Sequence, residues 1–197
     1  VRVMLRRLAS SSVAICAALV LGTGVAQAQP ADGAAPVEGN TTGPYCSTLV
    51  GKAAVGEVSP VLHRTCSDVS ADKADAQLLQ WRAQYRSSAW LAPQADAVVV
   101  MHWYEHAHFG GRHDRIWGDG GPCDSAGYTL DPTTFWPWNY DWSRNLSSAF
   151  GQSYCSKAEF INLAKNDKLV AYGMDQHGIA DLGSFNDNVG LIRTSRG

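Results

Sequence analysis

The chain has 197 residues, 45 % of them hydrophobic, with 16 Lys and Arg against 18 Asp and Glu and five cysteines. Its slightly negative charge offers no basic face to neutralise phosphates, which argues against nucleic-acid binding. The length and apolar content suffice for one ordinary core.

Residues 1–28, "VRVMLRRLASSSVAICAALVLGTGVAQA", carry arginines, then an apolar run from Val13 to Leu21, then the small-x-small triplet Ala26-Gln27-Ala28. This is the layout of a secretory signal peptide, and the run is shorter than the ~20 residues a membrane span needs. Cleavage after Ala28 would remove three of the 16 basic residues and leave 13 against 18 acidic ones, a net charge of −5. The mature protein is expected to be extracellular, free of the membrane and monomeric. Residues 29–44 are rich in Gly, Ala and Pro with little to bury, and are expected to be a flexible leader.

Residues 45–96 make a small first segment. Ala74, Leu78, Trp81 and Tyr85 fall at helical spacing behind Ser70, which predicts a short helix with Ser70 at its start. Cys16 leaves with the signal, and Cys46, Cys66, Cys123 and Cys155 remain, an even number in a chain bound for an oxidising compartment. Three pairings are possible. Cys46 with Cys66 and Cys123 with Cys155 is favoured, because each pair then lies within one segment. Ser70-Ala-Asp-Lys73 matches S-x-x-K, but nothing else of that enzyme signature follows.

From Ala97 to Gly197 the texture changes to short apolar runs separated by Gly, Asn and Asp: "AVVVMHWYE", "DRIWG", "LSSAFG", "AEFINLA", "LVAYG", "VGLIR". Such spacing predicts an antiparallel all-β sandwich or barrel. It also bears on His102-Trp-Tyr-Glu-His106, which matches the H-x-x-E-H pattern of zinc proteases. On a helix such histidines sit ~6 Å apart and can share a metal. On a strand they are ~13 Å apart. The β-branched flank and Gly110-Gly111 favour a strand, so no protease zinc site is expected; His106 and His108 would alternate onto one face. Glu105, Asp114, Asp119 and Asp124 are expected to be solvated turn acids, and no catalytic residue is assigned.

The hairpin is better described as Tyr104-x4-Phe109-x-Gly111, in which the glycine takes positive φ while the two rings pack across the fold. Two later stretches, Ser143-Arg-Asn-Leu-Ser-Ser148 and Asn186-Asp-Asn-Val-Gly-Leu191, start 43 residues apart. Together these motifs resemble the βγ-crystallin family, as in secreted actinobacterial members and small metalloproteinase inhibitors. The resemblance implies two Greek-key motifs forming a β-sandwich over 97–197, with a second, looser hairpin at Tyr172 to Gly178. It also implies Ca²⁺ sites built from the paired motifs. One set is complete: the Asp187 side chain, the Asn188 carbonyl, the Ser147 hydroxyl and the Glu105 carbonyl. The complementary set has Arg144 and Gly190 where ligands belong, and Arg144→Asp with Gly190→Ser is expected to restore it. A single carboxylate among neutral oxygens implies weak affinity, about 10⁻⁴ to 10⁻³ M.

The stretch "TFWPWNYDW" spaces Trp136, Trp138, Tyr140 and Trp142 two apart, which suits either the core or a sugar-stacking face. The expected activity is therefore non-enzymatic Ca²⁺ binding. The alternatives are inhibition of an extracellular metalloprotease and, through the tryptophans, binding of a cell-wall glycan.

Overall fold

The computed structural model describes residues 43–88, 96–135 and 140–197. The expected signal peptide, nearly all of the expected leader, and Trp136 and Trp138 of the aromatic stretch lie outside the described residues. The structure is mostly β, with two sheets and one helix.

Strands β1 (Tyr45–Val50) and β2 (Val61–Ser67) form an antiparallel hairpin in which Cys46 faces Cys66, and the two are disulfide-bonded. Helix α1 (Ala71–Ser88) follows at once. Ser70 caps it, its hydroxyl accepting the Lys73 amide at 3.2 Å, so the S-x-x-K match is a helix start. At 18 residues the helix is longer than the short one expected. Ala74 and Leu78 are fully buried, and the Thr65 hydroxyl ties β2 to the Ala74 carbonyl at 2.8 Å. Trp81 is stacked between His63 and Tyr85, with centroids 3.9 and 5.0 Å away.

Strand β3 (Val98–His106) pairs antiparallel with β4 (Gly110–Gly118), and β4 lies parallel to β1. The first sheet therefore joins strands from both sides of residue 97, across the boundary suggested by composition. Beyond lie β5 (Tyr128–Leu130), β6 (Ser148–Gly151), β7 (Lys157–Ile161), β8 (Lys168–Tyr172) and β9 (Leu191–Ser195). The first sheet has the order β2-β1-β4-β3-β6, and the second β5-β9-β7-β8. An isolated bridge from Ala149 to Ile179 extends the first sheet beyond β6. Residues 98–151 and 157–195 thus each place three strands in one sheet and one short extended piece in the other.

The core is drawn from both sheets: Val100, Trp103 and Ile116 meet Leu130, Phe160 and Ile192, with Phe135 and Trp142 between, all at most 1 % exposed. Trp142 sits in a 3-10 turn, Trp142–Arg144, so at this end the aromatic stretch belongs to the core. The second disulfide joins Cys123 to Cys155 and fastens the 119–127 loop beside β6.

A buried ion pair crosses this core. Asp114 is fully buried and Arg64 is 1 % exposed, and they meet at 2.8 Å. The Thr48 hydroxyl and the Trp142 indole N–H also donate to Asp114, at 2.9 and 3.1 Å. Asp114 is thus no solvated turn acid: facing inward on β4, it is charged only with these donors around it. Asp119 and Asp124 also have partners, Arg82 at 2.5 Å and Lys52 at 2.7 Å.

Two disulfides suggest an extracellular or otherwise oxidising environment. Among the described residues no helix is long and apolar enough to cross a membrane.

Candidate functional site

The β3–β4 connection folds over as its residues predict. The strand ends at His106, and Ala107–Phe109 form a 3-10 turn in which His108 and Phe109 are left-handed, with φ of 59° and 62°. Gly111 has φ of +78°, and a Cβ there would lie 2.9 Å from the Glu105 Cβ and the His106 ring. The Tyr104 and Phe109 rings meet edge to face at 5.4 Å. Ser148 pins the turn: its hydroxyl donates to the His106 carbonyl at 2.7 Å and accepts the Phe109 amide at 3.0 Å. His106 and His108 do not alternate on a strand face, because the strand has stopped before His108.

A register shift between Tyr104 and His106 leaves Glu105 without a partner in the β3–β4 ladder. Against this bulge the other two stretches come together. The Ser147 amide donates to the Tyr104 carbonyl at 3.0 Å, and the Asp187 amide to the Leu146 carbonyl at 3.1 Å. The Val189 amide donates to the Ser143 carbonyl at 2.9 Å, so the two motifs run side by side. Asp187 is left-handed, with φ of 57°. Ser147 is 8 % exposed, and neither its hydroxyl nor the Asp187 carboxylate bonds to another described residue. Asn188 turns its side chain the other way, accepting the Leu163 amide at 3.3 Å.

Two further oxygens are buried without a hydrogen-bond partner, the Asn186 Oδ1, next in chain to Asp187, and the Tyr140 hydroxyl. Burial, then the neighbouring Glu105, push the Tyr140 phenol far up, so it stays protonated. Glu105 keeps a carboxyl below the ordinary range: burial acts against this, but the Arg112 amide, Tyr140, His106 and Arg112 outweigh it. Carboxylate, hydroxyl and carbonyl oxygens are of the kind a hard cation such as Ca²⁺ takes.

The complementary half does not fit. Arg144 is 71 % exposed and lies 3.6 Å from Asp141. A Cβ on Gly190 would lie 2.9 Å from both the Asn162 carbonyl oxygen and the Leu163 Cα, so the Gly190→Ser change expected to restore a ligand collides with backbone. The hairpin expected at Tyr172 to Gly178 is also misplaced. Tyr172 ends β8, and the turn joining β7 to β8 is at 162–167. There Lys165 takes the left-handed conformation at φ 56°, and the Asn162 side chain accepts the Asn166 amide at 3.0 Å.

His102, first residue of the zinc-like motif, faces His113 rather than His106. The His102 Nδ1 and His113 Nε2 are 2.9 Å apart, and the other His102 nitrogen lies 2.8 Å from the Gln152 Oε1. With rings tilted by only 14° and centroids 5.2 Å apart, the two nitrogens point at one another along one line, which holds a proton and is too short for a metal ion. Burial, then His102 and Arg115, push His113 down to about 3, and burial also lowers His102. Among the described residues no three His, Cys, Asp or Glu side chains gather as a metal cluster.

No family model matches the chain, and neither does any curated protein or solved structure.

Proposed function

We propose that residues 97–197 form a βγ-crystallin-like pair of Greek keys in a secreted, non-enzymatic protein that binds one Ca²⁺ ion weakly. The observation that carries this reading is the folded 104–111 hairpin, pinned by Ser148, with the Ser147 amide hydrogen-bonded to Tyr104 and the Asp187 amide in turn to Leu146. The exchange of one extended piece between the two halves supports it too, since each half then has the form of one key. The Asp187 carboxylate, the Ser147 hydroxyl and the carbonyls of Glu105 and Asn188 would hold the ion. Bound to the folded state alone, it would add stability as RT ln(1 + [L]/Kd).

The test is a calorimetric Ca²⁺ titration of the disulfide-bonded, metal-stripped chain. One ion per chain is expected with Kd on the order of 10⁻⁴ to 10⁻³ M, and none for Asp187→Ala. Two ions would contradict the closed second half. Absence of heat and of any rise in melting temperature would remove the calcium reading. Inhibition of an extracellular metalloprotease, measured on a thermolysin-like enzyme, would then be the function to test.

A further inference from the structure

We infer that β8 is the contact strand of a weak homodimer, in which the second sheet runs on into the second sheet of another copy of this chain. Such a dimer needs no metal and stands apart from the calcium reading, and it differs from the monomer expected of the sequence.

An edge strand offers a row of unpaired amides and carbonyls, and folds usually cover or blunt it. Two sheet ends here are covered. At the β6 edge the Ala149 and Ile179 amides each donate to the other's carbonyl, at 3.1 and 2.8 Å, and the Gly151 amide donates to the Met174 carbonyl at 2.8 Å. At the β5 edge the Ser59 amide donates to the Thr129 carbonyl at 2.7 Å. Strand β8 pairs with β7 on one side and ends its sheet on the other, with no such strap among the described residues.

The β7–β8 turn fixes which groups of β8 face outward. The Asn162 amide donates to the Asp167 carbonyl at 3.2 Å, and further along the ladder Phe160 lies opposite Leu169 and Ala158 opposite Ala171. Bonded pairs alternate along an antiparallel ladder, so Leu169 and Ala171 turn their amides and carbonyls to β7, while Lys168, Val170 and Tyr172 turn theirs to the open edge. The Asp167 carboxylate already accepts the Lys168 amide at 2.8 Å, which leaves the amides of Val170 and Tyr172. About a twofold axis at Val170, the Val170 amide and carbonyl of each copy meet those of the other, and each Tyr172 amide meets the other copy's Lys168 carbonyl.

The side chains suit that register. Leu169 and Ala171 are only partly buried where they pack against the core, and the twofold sets each against the other across the new ladder. On the outer face it sets Lys168 opposite Tyr172. The Tyr172 ring is 66 % exposed and already has the Lys157 Nζ 6.0 Å from its centroid on the β7 side, so a second ammonium would reach it from the open edge. No like charges lie directly opposite one another. A slip by one residue would set the core-facing Leu169 and Ala171 against outer-face residues, which a sheet packed on one side forbids.

The test is sedimentation equilibrium of the metal-free, disulfide-bonded chain over a concentration series. A shift from monomer to dimer is expected at roughly 0.1–1 mM, the weak class to which a contact through one short strand belongs. Val170→Pro removes an amide that the monomer leaves unused, a change edge strands tolerate, and should abolish the shift with the melting temperature of the dilute protein near wild type. Tyr172→Glu sets a carboxylate opposite the other copy's Lys168 and should still dimerise. Lys168→Glu added to Tyr172→Glu sets carboxylate against carboxylate and should weaken the dimer about tenfold relative to Tyr172→Glu alone. A wild type that stays monomeric up to about 1 mM overturns the inference. So does a wild-type dimer that Val170→Pro and the paired glutamates leave unchanged, because it would form through another surface. Should Val170→Pro fail to fold, the two glutamate variants decide alone.

Discussion

Two residues show how differently single side chains answer to the fold. Gly111 combines a left-handed backbone with a contact that a methyl group would violate, so Gly111→Ala should cost on the order of 1–3 kcal/mol and weaken Ca²⁺ binding through the distorted hairpin. A melting curve and a titration on one sample would check both effects, and an unchanged melting temperature would contradict the strain argument. This glycine was readable in the sequence, because Tyr104, Phe109 and Gly111 lie within eight residues and the turn they make is local. Asp114 was not. Its partner Arg64 is far along the chain, and only the packing of β2 near Phe135, in the 3-10 turn Pro132–Phe135, and of β1 against β4 makes the pair buried. Asp114→Ala would leave Arg64 uncompensated and should cost about 3–5 kcal/mol by denaturant unfolding. The double change with Arg64→Met should cost less than the two single losses summed, since each single variant strands a buried group that the double variant does not.

Among the elements, α1 was legible because helical spacing and the Ser70 cap are both local signals, though its length was underestimated. Strands β1 and β2 were not legible. "YCSTLV" has no alternation of apolar and polar residues, because β1 is covered on both sides: α1 lies over Ser47, which donates to Asp75 at 2.5 Å, while Thr48 faces Asp114 within the core. The cysteines were the one usable clue, and the pairing by segment agrees with the bonds found. Replacing Cys46 and Cys66 together by Ala should remove about 3 kcal/mol and lower the melting temperature. A loss confined to the helix signal in circular dichroism would mean that the hairpin and α1 unfold apart from the remaining strands. The hairpin at 162–167 escaped detection for another reason: Lys165 and an Asn162 side chain do there what a glycine and aromatic rings do at 104–111, so the pattern had nothing to match.

For the molecule as a whole, the linked imidazoles on the first sheet set an acid limit. In the unfolded chain His113 and His102 take up protons as pH falls through about 6.5, whereas in the folded state His113 stays neutral down to about 3. The unfolded state therefore binds more protons below 6.5, and stability present above that pH is lost progressively toward 3, by at most about 1.4 kcal/mol per pH unit for each histidine. Between pH 6.5 and 5 the exposed carboxylates are still ionised, so His113→Gln should flatten the fall in melting temperature over that window. An equal slope in the variant would refute the assignment. What could be read along the chain were those features whose causes lie within a few residues: a β texture, a capped helix, a turn needing glycine, and oxygen-bearing loops. Contacts between residues far apart in the chain decided the rest. Ring nitrogens on adjacent strands, an ion pair across the core and a hairpin joined to the β4 edge are products of sheet order and register, and no short-range preference encodes them.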